Sequence, residues 1–182
     1  MKQVRKASFA LTVAISLVAC GNNETKKTED HSQHQTTNEK EQAAQTGPVR
    51  IQDEQLNAVY QHYIHLSTAL ANSDMAEAKA ASNAIEAGTK DLQNASKIAS
   101  AAAKITAAKD IEEQRVAYEA LSSEMISRVK TAGVNNGEVY VQHCPMAFND
   151  KGANWLSSTK EIRNPYFGNK MLTCGETKET IK

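Results

Sequence analysis

Apolar residues recur at helical spacing between Pro48 and about Thr131. Alanine, glutamate, lysine and glutamine fill the positions between them, a pattern that is typical of amphipathic α-helices. Caps and helix stops divide the stretch into four helices, at about 53–71, from Ser73-Asp74 to near 88, at about 90–107, and after Asp110 as far as Gly133. Because short links favour antiparallel neighbours, the pattern predicts an up-down four-helix bundle.

The pattern changes after Gly133. Asn135-Asn136-Gly137 indicates a turn, and residues 138–142 alternate between apolar and polar as a short β-strand does. Glycine and proline are frequent beyond that strand, and a few aromatic residues are available to pack the segment against the helices. We therefore predict a mainly α fold, in which the bundle is followed by a loop-rich lobe at about 134–182 with a short β segment.

The N-terminal residues 1–19 have a positively charged start and then an apolar run that is too short to cross a membrane. The run ends in Leu17-Val18-Ala19-Cys20, which resembles the lipobox of bacterial lipoproteins. This resemblance implies cleavage before Cys20, a diacylglycerol on its sulfur, and a lipid-anchored protein of the cell envelope. Gly21 stands where an inner-membrane retention signal has aspartate, so the outer membrane is favoured. The alternative is a plain secretory peptide with an incidental cysteine.

Residues 21–47 contain no large apolar side chain, so we expect a disordered linker at 20–47 between the lipidated cysteine and a folded domain at 48–182. His31 and His34 in this linker could bind a divalent or cuprous ion, although two ligands make a weak site and a solvated spacer is the alternative. Removing residues 1–19 removes three basic residues and changes the formal charge from 0 to −3. That charge argues against a nucleic-acid partner.

Four sulfur atoms occur in the C-terminal lobe, on Cys144, Met146, Met171 and Cys174. Thiolates and thioethers are soft donors, and Cu(I) is the ion that such a set selects. His143 could add an imidazole nitrogen as an auxiliary ligand, although neighbouring residues on a strand point in opposite directions. The sulfur set therefore predicts a site for a soft metal, with copper as the first choice.

A disulfide between Cys144 and Cys174 is the competing interpretation. Once Cys20 is acylated, these are the two thiols that remain, and an exported protein meets an oxidising compartment. A bridge that closes a loop of this length would stabilise the fold by about 3 kcal/mol. The two methionines would then be ordinary packing residues. A pair that is bridged when empty and binds metal when reduced would satisfy both interpretations.

Three blocks of the lobe carry a family resemblance: Cys144-Pro145-Met146, Asn164-Pro165-Tyr166-Phe167-Gly168 and Met171-Leu172-Thr173-Cys174-Gly175. With Tyr60-x-x-Tyr63-x-x-Leu66, they make roughly residues 50–181 similar to a bacterial exported family of unknown function. That family occurs as stand-alone lipoproteins and as an extension on the periplasmic adaptor subunits of heavy-metal, copper-type efflux pumps. The resemblance implies a helical bundle domain linked to copper or related metals, with efflux components as partners.

The sequence contains no glycine-rich phosphate loop, nucleophile elbow or zinc-protease helix. We therefore expect a protein that is not an enzyme. Two functional hypotheses remain open: an anchored lipoprotein that binds or passes on a soft metal ion, and a structural or adaptor domain, closed by a Cys144–Cys174 bridge, that docks on another envelope protein.

Overall fold

The computed structural model describes residues 48–182, which form a mainly α-helical structure with two small antiparallel sheets. The long helices are α1 (Glu54–Ala71), α2 (Met75–Gly88), α3 (Ser96–Ala107) and α4 (Ile111–Ala132). None of the helices in this part of the chain is both long and apolar enough to cross a membrane. The predicted signal sequence, Cys20, His31 and His34 lie outside the described residues.

Three of the four predicted helix starts are confirmed, and in each an aspartate is the cap. The side chains of Asp53, Asp74 and Asp110 each accept a hydrogen bond from the backbone N–H three residues further on, at 2.7 to 2.9 Å. These bonds satisfy amides that have no partner within the helix. The predicted ends are also confirmed, because α2 ends at Gly88 and α4 ends before Gly133, whose φ is +80°.

The start of α3 differs from the prediction. The helix begins at Ser96 rather than near residue 90, and residues 89–95 form turns in which Asn94 has a φ of +54°. The guanidinium of Arg128, on α4, donates to the backbone carbonyls of Gln93 and Asn94. Those carbonyls are thus bonded to a distant side chain instead of to the next helical turn, which the apolar pattern could not show.

The helices pack in chain order, each on the next, and α4 also contacts α1 and α2. The apolar stripe predicted for α1 is buried throughout. On α4 the four stripe positions that follow the half-buried Ile111 are buried as well, and buried alanines line α2 and α3. The buried stripes comprise Leu56, Val59, Tyr60, Tyr63, Leu66 and Leu70 on α1, with Tyr118, Leu121, Met125 and Val129 on α4.

The C-terminal lobe is more regular than the predicted loops. The strands β1 (Arg50–Ile51) and β2 (Val134–Asn136) form one pair, and β3 (Val139–Cys144) lies between β4 (Ala153–Ser157) and β5 (Glu176–Ile181) in an antiparallel sheet. The predicted strand is therefore real, but it has two partners. A four-residue segment, α5 (Ala147–Asp150), in which Phe148, Asn149 and Asp150 have left-handed backbone conformations, and a 3-10 turn (Gly168–Lys170) complete the lobe.

The sheet packs on the helices through buried hydrogen bonds as well as apolar contacts. The backbone N–H of Leu156, on β4, donates to the hydroxyl of Tyr63 at 3.0 Å, and Tyr118 donates to the same hydroxyl at 2.7 Å. Tyr166 packs edge-on against Trp155, with ring centroids 6.1 Å apart. Burial raises the pKa of the Tyr118 and Tyr166 hydroxyls well above the usual value, so both stay neutral.

Candidate dithiol site

The two described cysteines meet at one end of the three-stranded sheet. Cys144 is the last residue of β3, and Cys174 lies two residues before β5. The antiparallel register pairs His143 with Glu176, which brings the chain before β5 beside the end of β3. The Sγ atoms of Cys144 and Cys174 are 3.0 Å apart, and both residues are free thiols. The two turns that carry the cysteines therefore fold back onto each other.

The two thiols differ in exposure and in acidity. Cys144 is fully buried and Cys174 is half-buried. The hydrogen bond to Cys144, together with burial, raises the pKa of the Cys174 thiol to about 11. Because the thiolate is the form that binds metals and attacks disulfides, Cys174 must lose a proton before either reaction. Because Cys174 is half-buried, its thiol can release that proton to solvent.

The two methionines of the predicted set lie together at a different surface. Met146 and Met171 line an open groove of about 640 Å³, which Phe148 and Phe167 also line. Met146 is 47% exposed, and neither cysteine is among the residues that line the groove. The four sulfurs therefore form two separate pairs. The thiols of Cys144 and Cys174 are in contact, and the thioethers of Met146 and Met171 lie on one groove.

His143 faces a different partner from Cys144. Its Nδ1 atom is 2.9 Å from the Oδ1 atom of Asn154 on the neighbouring strand β4, and its ring packs over Gly152. This position agrees with the alternation expected along a strand. Within residues 48–182, no three histidine, cysteine, aspartate or glutamate side chains form a group that could hold a metal ion. A metal at the dithiol would therefore have two thiolates as its strong ligands.

A buried arginine fixes the segment that lies beside the dithiol. Arg115, on α4, is 3% exposed and donates from Nε to the carbonyl of Pro165 at 3.0 Å. Its Nη2 atom donates to the carbonyl of Leu70 at 3.1 Å and to the hydroxyl of Ser73 at 3.0 Å. The guanidinium therefore holds residues 164–168 against the C-terminal end of α1.

Sequence reasoning assigned no role to Arg115, and it singled out Asn164 only as the first residue of the Asn164–Gly168 block; in the structure the Asn164 amide donates to the Cys174 carbonyl at 2.8 Å. Arg115 occupies a position of the α4 stripe, three residues before Tyr118, and a charged residue on a buried stripe is a signal that could have been read. Asn164 has a weaker signal, since it precedes a proline in a stretch with few apolar residues. Its side-chain partner Cys174 is ten residues away, and that contact could not be known beforehand.

Residues 59–137 match the model of a family described as "Protein of unknown function (DUF3347)". The match covers less than half of the chain. It spans the helical region from within α1 to just past β2 and ends before Cys144, so the cysteine and methionine motifs of the lobe lie outside it. No curated protein and no solved structure matches the chain.

Proposed function

We propose that this protein is an extracytoplasmic lipoprotein, anchored through Cys20, that holds or passes on a soft metal ion, Cu(I) in the first place. Its domain is taken to be an antiparallel up-down four-helix bundle that supports the C-terminal lobe, and it carries out no catalysis. The observation that carries the proposal is the contact between the Cys144 and Cys174 Sγ atoms at 3.0 Å. Two thiolates in one place are the donors that select cuprous ion over harder metals.

Loading requires a small movement of the thiols. Bonds of about 2.3 Å from a metal ion to each sulfur separate the sulfurs by roughly 4 Å, so the pair must open by about 1 Å. Cys144 is buried in the sheet, whereas Cys174 is half-buried in a turn, and we assign the movement to Cys174. Two protons leave as the ion enters, so binding should strengthen as the pH rises.

The thioethers of Met146 and Met171 are proposed as transfer ligands. A thioether needs no deprotonation, and Met146 is accessible to solvent on the groove wall. Met171 starts the turn that ends at Cys174, since the Cys174 N–H donates to the Met171 carbonyl at 3.1 Å. An ion captured on the groove would thus be one turn of the chain from the dithiol. His143 and the linker histidines His31 and His34 remain auxiliary ligands in this proposal.

A competition titration with a chromophoric Cu(I) chelator under reducing conditions tests the proposal. We expect the double variant Cys144→Ser/Cys174→Ser to lose high-affinity binding. Met146→Leu/Met171→Leu should keep the affinity and slow the loading of Cu(I), because the thioethers line a groove that the cysteines do not and act in transfer. Met75→Leu is the matched methionine control, because Met75 begins α2 and is not among the residues that line the groove. Equal, weak binding by the wild type and the double cysteine variant would end the proposal.

A second candidate is a structural or adaptor domain that docks on another envelope protein, such as a heavy-metal efflux component. The observation that favours it is the lack of a third histidine, cysteine or acidic ligand within residues 48–182, which leaves the thiols suited to a bond between themselves. Cys144 and Cys174 are 30 residues apart, and a bridge would stabilise the fold by about 3 kcal/mol under the loop-entropy account.

Counting free thiols on the exported protein separates the two candidates. The metal-binding candidate predicts two titratable thiols, or thiols protected by bound copper that a chelator releases. The adaptor candidate predicts none before reduction and two after it, whether or not copper is present. A bridge that persists with Cu(I) and a mild reductant would favour the adaptor.

A further inference from the structure

Asn164 is a fully buried residue whose polar groups are all engaged. Its side-chain Nδ2 donates to the Cys174 carbonyl at 2.8 Å, and its Oδ1 accepts from the Tyr166 N–H at 2.8 Å. Its backbone N–H donates to the Leu172 carbonyl at 2.7 Å, and its own carbonyl accepts from the Gly168 N–H at 3.0 Å. Two of these four bonds hold the turn that carries Cys174.

Asn164 itself is held in place by its neighbours. The carbonyl of Pro165 accepts from the buried Arg115, and Tyr166 is buried against Trp155 and donates from its hydroxyl to the Asn154 carbonyl at 2.7 Å. The residue before a proline is restricted to extended conformations, so little backbone freedom remains at Asn164. The side-chain amide is thus a fixed support against which the Cys174 turn rests.

From this geometry we infer that Asn164 is a positioning residue for the dithiol: its amide holds Cys174 against Cys144 and so sets how readily the pair forms a disulfide or takes a metal ion. Cys144 is fixed on the central strand, and Cys174 is the half-buried partner that can move away. If the Asn164 amide no longer holds the Cys174 carbonyl, the Cys174 sulfur can occupy a wider range of positions. The effective concentration of the Cys174 thiol near the Cys144 thiol then falls. The metal part of the inference rests on the proposed function, whereas the disulfide part does not.

Equilibration with glutathione measures the disulfide part directly. Oxidised glutathione takes two electrons from the pair, and its own S–S bond is cleaved to two glutathione thiols. The two S–H bonds of Cys144 and Cys174 break, one S–S bond forms between them, and the two protons pass to the two glutathione sulfurs. The fraction of bridged protein, measured against the squared concentration of reduced glutathione divided by the concentration of oxidised glutathione, gives the equilibrium constant.

Two variants remove the amide donor in different ways. We expect Asn164→Ala to lower the equilibrium constant for bridge formation about fivefold, the factor that one net hydrogen bond is worth. Asn164→Asp keeps the acceptor for the Tyr166 N–H but sets a carboxylate oxygen against the Cys174 carbonyl. At pH 8 this variant should therefore lower the equilibrium constant for bridge formation further than Asn164→Ala does. Burial raises the pKa of an introduced carboxyl, and its protonated form can again donate. The ratio of this variant's constant to that of the wild type should therefore recover towards one at pH 5.

Ile98→Val is the control for general destabilisation. Ile98 is buried near the start of α3, a helix that packs on α2 and α4, so removing one methyl group should lower stability and leave the glutathione equilibrium unchanged. The inference is overturned if both Asn164 variants keep the wild-type constant. It is also overturned if Ile98→Val shifts the constant as far as Asn164→Ala, or if Asn164→Asp does not recover at low pH relative to Asn164→Ala.

Cu(I) titration of the same proteins keeps this inference apart from the proposed function. If the wild type binds no Cu(I) while Asn164→Ala shifts the glutathione equilibrium, the proposed function fails and the positioning role stands. If the wild type binds Cu(I) tightly and neither Asn164 variant changes the affinity or the glutathione equilibrium, the positioning role fails and the proposed function stands.

Discussion

Replacing Arg115 by methionine is the substitution for which the structure gives the most definite consequence. The change keeps the length and much of the apolar volume of the side chain but removes every donor. Arg115 donates to the carbonyls of Pro165 and Leu70 and to the hydroxyl of Ser73, and its Nη1 atom lies 3.1 Å from a carboxylate oxygen of Glu112. The side chain is 4% exposed, so water cannot take over these bonds without opening the interface.

The magnitude follows from the groups that are left behind. Glu112 is 59% exposed and loses little, whereas the Leu70 carbonyl loses its charged donor but keeps a bond from the Ser73 N–H at 3.1 Å. The Pro165 carbonyl is left buried without its charged donor, which costs about 1.5–3 kcal/mol. Adding about 1 kcal/mol for the weakened Leu70 bond gives a loss of roughly 2.5–4 kcal/mol in the free energy of unfolding.

Urea unfolding, followed by the emission of Trp155, measures this loss, since Trp155 is the one tryptophan of the chain and is buried in the lobe. Arg128→Met is the matched control on the same helix. Arg128 also donates to two backbone carbonyls, but its side chain is 20% exposed, so water can replace it and the cost should stay below about 1 kcal/mol. The reasoning is refuted if Arg115→Met costs no more than Arg128→Met.

Three further predictions concern single residues of the lobe and its contacts. Gly168→Ala should lower the thermal midpoint and cost more than about 2 kcal/mol, because its φ is +54° and a Cβ would lie 2.4 Å from the Arg115 guanidinium; an unchanged midpoint would contradict this. Tyr63→Phe should cost about 2–3 kcal/mol in denaturant unfolding, since it removes a hydroxyl with three buried partners. The rate of alkylation of reduced Cys174, followed by mass spectrometry, should rise near pH 11 in the wild type and at a lower pH in Cys144→Ala. Because the pKa of Cys174 is raised in the folded protein, the protonated thiol stabilises the fold below pH 9, and this stabilisation is lost between pH 9 and 11.

Local signals accounted for most of the helical part. Aspartate caps and the apolar period placed α1, α2 and α4 correctly, because both act within a few residues of the chain. The start of α3 was missed because carbonyls near it bond to Arg128, which lies more than thirty residues away. Strand β5 was missed for a different reason. It is an edge strand with one buried residue, Ile181, so the bonds to β3 define it and the apolar pattern does not.

The candidate site was only partly accessible to sequence reasoning. Chemistry singled out the four sulfurs, but spacing along the chain could not show which of them meet. The contact between Cys144 and Cys174 depends on the register of β3 with β5, and that register includes a shift between Val141 and Gln142. A one-residue change of register would turn the side chains of a strand to the opposite face. Met146 and Met171, each two or three residues from a cysteine, accordingly reach a groove that the cysteines do not line.

The position of the Cys174 sulfur therefore depends on tertiary contacts, the first of which is made by Arg115 on α4. Arg115 holds the Pro165 carbonyl, the proline restricts Asn164, and the Asn164 amide holds the carbonyl of Cys174. The first and last links are polar contacts of buried side chains, and such contacts are costly to leave unsatisfied, so they favour one arrangement of the lobe over its alternatives. Apolar packing alone would tolerate shifts of an ångström in this loop, whereas bond formation between two thiols would not. This difference gives a role to the buried Asn164 amide beside two cysteines that otherwise pack in the apolar core.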